Sequence, residues 1–346
     1  MNKNFMWTVV GAGPAGILAV GRLLDAGVAP ETIAWLDPEF LVGDFGQAWF
    51  AVPSNTRVAL FTKYLQATSS FDYANCPKEL TLSHLNENDT CLLGEMAKPL
   101  QWVTEKLCQQ VTHQKCTVRS LQQLQGGWNL ITTEETIFSK NVILAIGSTP
   151  KTPHYDVPVN EITLNIALNP DLLKKTVKSN QRVVVFGASH SGVLVIKNLL
   201  DAGCRVTNFY RSPLRYALFQ ADHVIYDNTG LKGSAAQWAK ENLQGQSIKN
   251  LTRHCLVDDS AEEALQFCDH VVYATGFTTR HLASQDLDCR KYDARTGIIA
   301  PGLFGLGVAY PELFTDRYGI SESSVGLFKF SNYLTRVLPL WMQYTN

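Results

Sequence analysis

The residues best suited to chemistry in this chain are glycines. Gly11, Gly13 and Gly16, with Pro14 and Ala15 between them, make a Gly-x-Gly-x-x-Gly turn directly after the apolar run Val9-Val10. In such a turn the first glycine allows a sharp bend, the second lets backbone come against a pyrophosphate, and the third lets helix and strand pack closely. The phosphates then sit on a helix N-terminus, where free amides and the dipole favour negative charge. Asp37 lies 21 residues after Gly16, at the end of the next strand. That is the usual place for a carboxylate accepting hydrogen bonds from a ribose.

The turn recurs 176 residues later as Gly187-Ala188-Ser189-His190-Ser191-Gly192, with serine in place of the middle glycine. No acid closes its second strand, where Tyr210, Arg211 and Ser212 stand with Arg215 close behind. A guanidinium in that place suits a 2′-phosphate, which favours NADPH over NADH. The alternative is a solvated arginine beside an empty second site. His190 either touches a phosphate or is structural.

Other chemistries find less support. Gly187-Ala188-Ser189-His190-Ser191 imitates a nucleophile elbow, but that motif needs glycine where Ser191 stands. The eight cysteines form no Cys-x-x-Cys pair or zinc knuckle, and the eight histidines no His-x-x-x-His pair. The expectation is reduced, mostly buried thiols in a cytoplasmic protein, and no metal site.

Each turn needs a strand before it and a helix after it, and the sequence supplies both. Phe5–Val10 and Arg182–Phe186 read as buried parallel strands. Ala15–Leu24 and Ser191–Leu200 carry apolar residues at helical spacing, and each copy shares the pentapeptide Leu-Leu-Asp-Ala-Gly, ending at Gly27 and Gly203. Second strands are expected at Thr32–Leu36 and Arg205–Tyr210. Val142–Gly147 and Val271–Gly276 close the units, each an apolar strand running into small residues that let backbone approach a ligand.

With 346 residues, two domains are expected. The fold class is α/β: two Rossmann-like dinucleotide-binding domains, the second inserted into the first. The first is discontinuous, 1–150 and 270–346; the second is 180–269; 151–179 is a linker with one short helix near Pro170–Val177. The segment 213–250 lacks a clear strand and either helps form a substrate pocket or is a surface excursion. Lys plus Arg number 30 against 31 Asp plus Glu, which argues against a nucleic-acid binder acting through a broad basic surface. No apolar run reaches the ~18–20 residues of a membrane span. Trp7–Leu24 resembles a signal peptide in composition, but its glycines and Pro14 have the explanation above. The expected partner is a small-molecule substrate or electron acceptor, and an oligomer is allowed.

These residues resemble the two-dinucleotide-binding-domain flavoproteins, and within them the flavin-containing monooxygenases and their bacterial relatives. Phe45-Gly46-Gln47-Ala48-Trp49 and Ser54-Asn55 are similar to that family's Gly-Gly-x-Trp and later Thr-Asn, and Ala274-Thr275-Gly276-Phe277 to its Ala-Thr-Gly-Phe/Tyr. The resemblance implies FAD in the first domain and a nicotinamide cofactor in the second. It places Gln47, Trp49 and Asn55 near the flavin, with Asn55 the one catalytic candidate; the alternatives are a core aromatic at Trp49 and a turn residue at Asn55. The family's Phe-x-Gly-x-x-x-His fingerprint is missing: 148–181 contain no glycine, and their only histidine is His154. The ribityl-holding Gly-Asp of many relatives is also missing, although Gly307 still offers close backbone. A helix expected over Ser321–Arg336, beginning near Glu322, is aimed by the resemblance at the flavin. The function implied is an FAD-dependent oxidoreductase that takes hydride from NADPH and passes electrons to O2 or a small-molecule acceptor, in the manner of a monooxygenase. The missing fingerprint points to hydrogen peroxide as the main product from O2. The rival reading is a non-catalytic flavin-binding scaffold or sensor.

Overall fold

Both glycine turns lie where an apolar strand meets an amphipathic helix. Asn4–Val10 leads into helix Pro14–Asp25, and Arg182–Phe186 into helix His190–Asp201. The structure is a computed structural model that describes residues 4–153, 155, 157–221, 223–245, 247–256, 260–284 and 287–344; His154 lies outside them. The chain divides into two units. Met1–Phe50, Thr56–Ser148 and Thr279–Asn346 form the first, and Ala51–Asn55 with Thr149–Thr278 the second.

In the first unit the parallel strands run in the order Thr112–Lys115, Ile33–Asp37, Asn4–Val10, Thr136–Leu144, Leu303–Gly305. The long strand Thr136–Leu144 changes partner midway. Its first part pairs antiparallel with Gly127–Thr132, and its last part pairs parallel with Leu303–Gly305. Val118–Leu124 and Gly127–Thr132 extend the sheet as an antiparallel hairpin. One core packs Trp7, Val9 and Trp35 against Ile17 and Leu18 of the turn helix, Met96 and Leu100 of Leu93–Cys108, and Phe330 and Leu334 of Leu327–Gln343. The hairpin covers another, with Val10 and Leu36 against Leu121, Trp128 and Leu130.

The second unit holds four parallel strands in the order Leu251–Cys255, Arg205–Tyr210, Arg182–Phe186, His270–Tyr273. This is the third-second-first-fourth order of the first unit's sheet, so the sequence repeat is a repeat of topology. One residue from each strand, His254, Phe209, Phe186 and Tyr273, stands in a row of stacked rings.

The boundaries differ from the sequence expectation. His270–Tyr273, expected to return to the first domain, pairs with Arg182–Phe186 and completes the second sheet. The expected linker 151–179 counts with the second unit: Ile162 N–H donates to Val271 O, and Pro170–Thr176 is helical behind an Asn169 cap. The segment 213–250 contains a short hairpin, Leu218–Phe219 with Val224–Ile225, and helix Gly233–Leu243. The C-terminal helix starts later than expected. Ser321–Ser324 is a strand paired antiparallel with Glu312–Thr315, and the helix runs Leu327–Gln343. The connecting turn explains this. The Asp316 carboxylate accepts from Tyr318 N and Ile320 N, Gly319 has φ 78°, and Gly326 breaks the strand with φ 147°. Among the described residues no helix is long and apolar enough to cross a membrane.

Candidate functional site

In the first unit the turn glycines do different things. Gly11 has φ 107°, and a Cβ there would lie 2.4 Å from the Ala145 carbonyl oxygen. A Cβ on Gly16 would lie 1.9 Å from the Gly11 oxygen. These two are required by the fold. Gly13 is different. Its backbone is extended (φ −74°, ψ 175°), it caps the helix, and no heavy atom lies within 4 Å of its would-be Cβ. That space faces a helix start with Pro14 in its first turn and no side-chain cap. The free amides and the open space fit a pyrophosphate.

Asp37 is buried and already employed. Its Oδ2 accepts from Ala12 N at 2.7 Å, and its Oδ1 from Glu39 N at 2.8 Å and Phe40 N at 2.7 Å. A carboxylate offers about four lone-pair directions, so one is left for a ribose hydroxyl. The loop it organises stores strain, since Phe40 and Val42 both have positive φ. Gln47 ends the short helix Gly43–Gln47 and is exposed, whereas Trp49 is half-buried.

Four residues around this turn escaped the sequence reading. Trp35 Nε1 donates to Gly11 O at 2.9 Å, and Tyr64 Oη to Pro14 O at 2.7 Å. Burial holds the Tyr64 phenol far above its usual range, so it stays a donor. Arg280 Nη2 pairs with Asp44 at 2.6 Å, while Arg280 N donates to Gly147 O. A Cβ on Gly147 (φ 75°) would stand 3.0 Å from Arg280 Nη1, so this glycine makes room for a guanidinium. Gly307 (φ 86°) approaches the turn helix, its would-be Cβ 2.6 Å from that of Ala15. None of these pairs has a local sequence signal, because the partners are far apart in the chain.

The second turn repeats the backbone of the first. Gly187 has φ 110°, and its would-be Cβ lies 2.2 Å from Ala274 O; that of Gly192 lies 2.5 Å from Gly187 O. Gly187 N donates to Phe209 O as Gly11 N donates to Leu36 O, both at 2.8 Å. Ser189 is extended (φ −85°, ψ −165°), like Gly13, and makes no side-chain cap. Its exposed side chain therefore stands where Gly13 leaves space. Ser191 follows in the first turn of the helix.

His190 is tied down. Its Nε2 accepts from Lys232 N at 3.0 Å, and burial pushes its pKa down to about 4. It is a neutral acceptor at pH 7, which favours the structural alternative over a phosphate contact. By strand register Tyr210 occupies the place of Asp37. Arg211 and Ser212 follow it, both exposed, and Arg211 makes no ion pair among the described residues. Arg215 stacks on Tyr226, with Cζ 4.7 Å from the ring centre. Gly276 has φ 95° and open space at its would-be Cβ. Asn55 is exposed on strand Pro53–Arg57 and belongs to the second unit, so it is a strand residue and not a turn residue.

All eight cysteines are free, and no three His, Cys, Asp or Glu residues gather as a metal site among the described residues. The family model for pyridine nucleotide-disulphide oxidoreductases matches residues 8–300. The chain is 32% identical to the monooxygenase AgnR1 of Paecilomyces divaricatus, covering 96% of this chain and 97% of that one. A flavin-containing monooxygenase from Stenotrophomonas maltophilia has a similar fold, with TM-score 0.68 at 14% identity over 99% of both chains. The L-lysine 6-monooxygenase of Pseudomonas syringae gives TM-score 0.65 at 14% identity over 98% of this chain and 99% of that one. T. acidophilum thioredoxin reductase gives 0.57 at 17% identity over 99% of each.

Proposed function

The chain belongs to the pyridine nucleotide-disulphide oxidoreductase family, and from that premise we propose that this FAD- and NADPH-dependent enzyme passes its electrons to O2 in the presence of a small-molecule substrate. The observation that carries the reading is the pair of matched turns whose side chains differ where cofactors differ. The first has open space at Gly13 and a carboxylate at Asp37; the second has Tyr210 in the carboxylate's place, followed by an exposed Arg211. Family membership and the monooxygenase relative set the scaffold alternative aside. The sequence has no Cys-x-x-Cys pair, which weighs against thioredoxin-reductase-like disulfide chemistry.

FAD, when bound, supplies two-electron redox chemistry, with hydride drawn from NADPH. The Gly11–Gly16 turn receives the FAD pyrophosphate at its free amides. Asp37 fixes the turn through Ala12 and keeps one acceptor direction for the adenosine ribose. Gln47 and Trp49 are assigned to the flavin end, with Gly147 and Gly307 keeping the backbone there close. In the second unit Gly187, Ser189, Ser191, Gly192 and Gly276 frame the NADPH phosphates, and Arg211 with Ser212 meets the 2′-phosphate. Asn55 remains the catalytic candidate.

Anaerobic mixing with NADPH tests the reading, with rapid bleaching of the flavin band as the expected result. In air without substrate, each NADPH and proton should reduce one O2 to one H2O2, the outcome that the missing fingerprint favours. No bleaching at millimolar NADPH overturns the electron path. NADPH consumption that produces no peroxide in the absence of substrate overturns O2 as the acceptor.

A further inference from the structure

Asn208 is fully buried in the second strand of the second unit, at the position that Trp35 holds in the first. Both side chains do the same task. Trp35 Nε1 donates to Gly11 O at 2.9 Å, and Asn208 Nδ2 to Gly187 O at 2.8 Å, with a further bond to Val185 O at 3.0 Å. The two solutions differ in one respect. An indole N–H is only a donor, so Trp35 has a single way to meet a carbonyl. A carboxamide can flip, and a flipped Asn208 would set its oxygen against two carbonyl oxygens.

Arg253 removes that ambiguity. Its Nε donates to Asn208 Oδ1 at 3.1 Å, and a guanidinium, having no acceptor, can face only the oxygen of the amide. Its Cζ stacks 4.7 Å from the centre of the Tyr210 ring. Its Nη2 is shielded from solvent without a hydrogen-bond partner, and no carboxylate pairs with it among the described residues. Burial lowers its pKa, which the nearby phenols of Tyr210 and Tyr216 oppose. Half-buried, with no carboxylate beside it among the described residues, this cation carries a desolvation cost that an apolar side chain of the same volume would avoid.

We propose that Arg253 is a positioning residue for the second nucleotide turn: it fixes the Asn208 amide, which in turn holds the Gly187 carbonyl and so the amides that face the dinucleotide phosphates. This rests on the reading that the second unit binds the nicotinamide cofactor. It predicts a loss common to NADP+ and NAD+, because the turn serves the pyrophosphate that both carry, whereas Arg211 serves the 2′-phosphate alone.

The test is calorimetric titration of FAD-loaded protein with NADP+ and with NAD+. Arg253→Met should weaken both nucleotides by the same factor, roughly tenfold, the worth of about one buried hydrogen bond. Arg253→Lys keeps the charge but has no planar Nε–H to offer Asn208, and should weaken both equally; it carries the test if the methionine variant does not fold. Asn208→Leu should weaken both nucleotides, and adding Arg253→Met to it should cost nothing more, since the two residues act in series. Unchanged binding in the Arg253 variants, a loss confined to NADP+, or additive losses in the double variant would each overturn the proposal. Wild type that binds neither nucleotide would instead remove the reading of the second unit on which it rests.

Discussion

The first glycine turn leaves open the space that the second turn partly fills. Their backbones match to the level of individual hydrogen bonds, yet Gly13 faces open space and its counterpart Ser189 presents a side chain. Asp37 gathers three backbone amides, whereas Tyr210 in the same register carries a stacked guanidinium. Pro14 starts one helix, and His190, locked to Lys232, starts the other. The strained glycine at the strand end and the glycine inside the helix belong to the strand-turn-helix geometry itself, so both copies keep them. The copies diverge at the middle position and at the strand-end residue, the two places that the proposed function assigns to the ligand.

The sharpest way to break this comparison is Gly13→Val. No heavy atom lies within 4 Å of a Cβ built there, so the fold should survive while the pyrophosphate's space is taken. Purified variant should show wild-type circular dichroism and no bound FAD; normal flavin content would end the assignment of the first turn.

A pH effect should come from His190 in the second turn. Folded His190 titrates at about 4, well below its ordinary value near 6.5. Between these values the unfolded chain takes up a proton that the folded chain refuses, so its contribution is complete above 6.5 and is lost as pH falls towards 4. The loss across that window is at most about 3 kcal/mol. His190→Gln should flatten the dependence, read as a smaller drop in thermal midpoint between pH 7 and pH 5. An equal drop in both proteins would place the effect elsewhere.

Arg211→Ala should weaken NADPH about tenfold, the low end for a charged hydrogen bond at an exposed site, and leave NADH nearly unchanged. Arg215 is engaged with Tyr226, so it should not compensate. Equal weakening of both cofactors would assign Arg211 to the shared turn. The smallest effect is expected at the exposed Arg280–Asp44 pair of the first unit. Arg280→Met should cost less than ~1 kcal/mol in denaturant unfolding, and less still in high salt.

Much of the architecture was legible because its signals are local. A strand, a glycine turn and a helix occupy about twenty consecutive residues, and the repetition of that pattern identified two units of one type. The hairpin Val118–Thr132 lies outside the expected elements, although Gly126-Gly127 between short β-rich runs is a usable hairpin signal. The helix expected from Glu322 failed because Ser321–Ser324 found a cross-strand partner nine residues earlier, a pairing that outweighs weak helical spacing.

The sequence by itself determined the fold class, the repeat, the two turns and the absence of an acid at the end of the second unit's second strand, because each depends on residues close together in the chain. Only the tertiary structure decided what occupies each turn's surroundings. Trp35 and Asn208 each reach back across a neighbouring strand to the equivalent turn carbonyl, Gly11 O in the first unit and Gly187 O in the second; Tyr64 supports Pro14 from fifty residues away, and Asp37 spends three of its acceptor directions on backbone. Strand register sets these contacts. A side chain's partner across a parallel sheet depends on the crossover between the strands, and no spacing in the sequence specifies it.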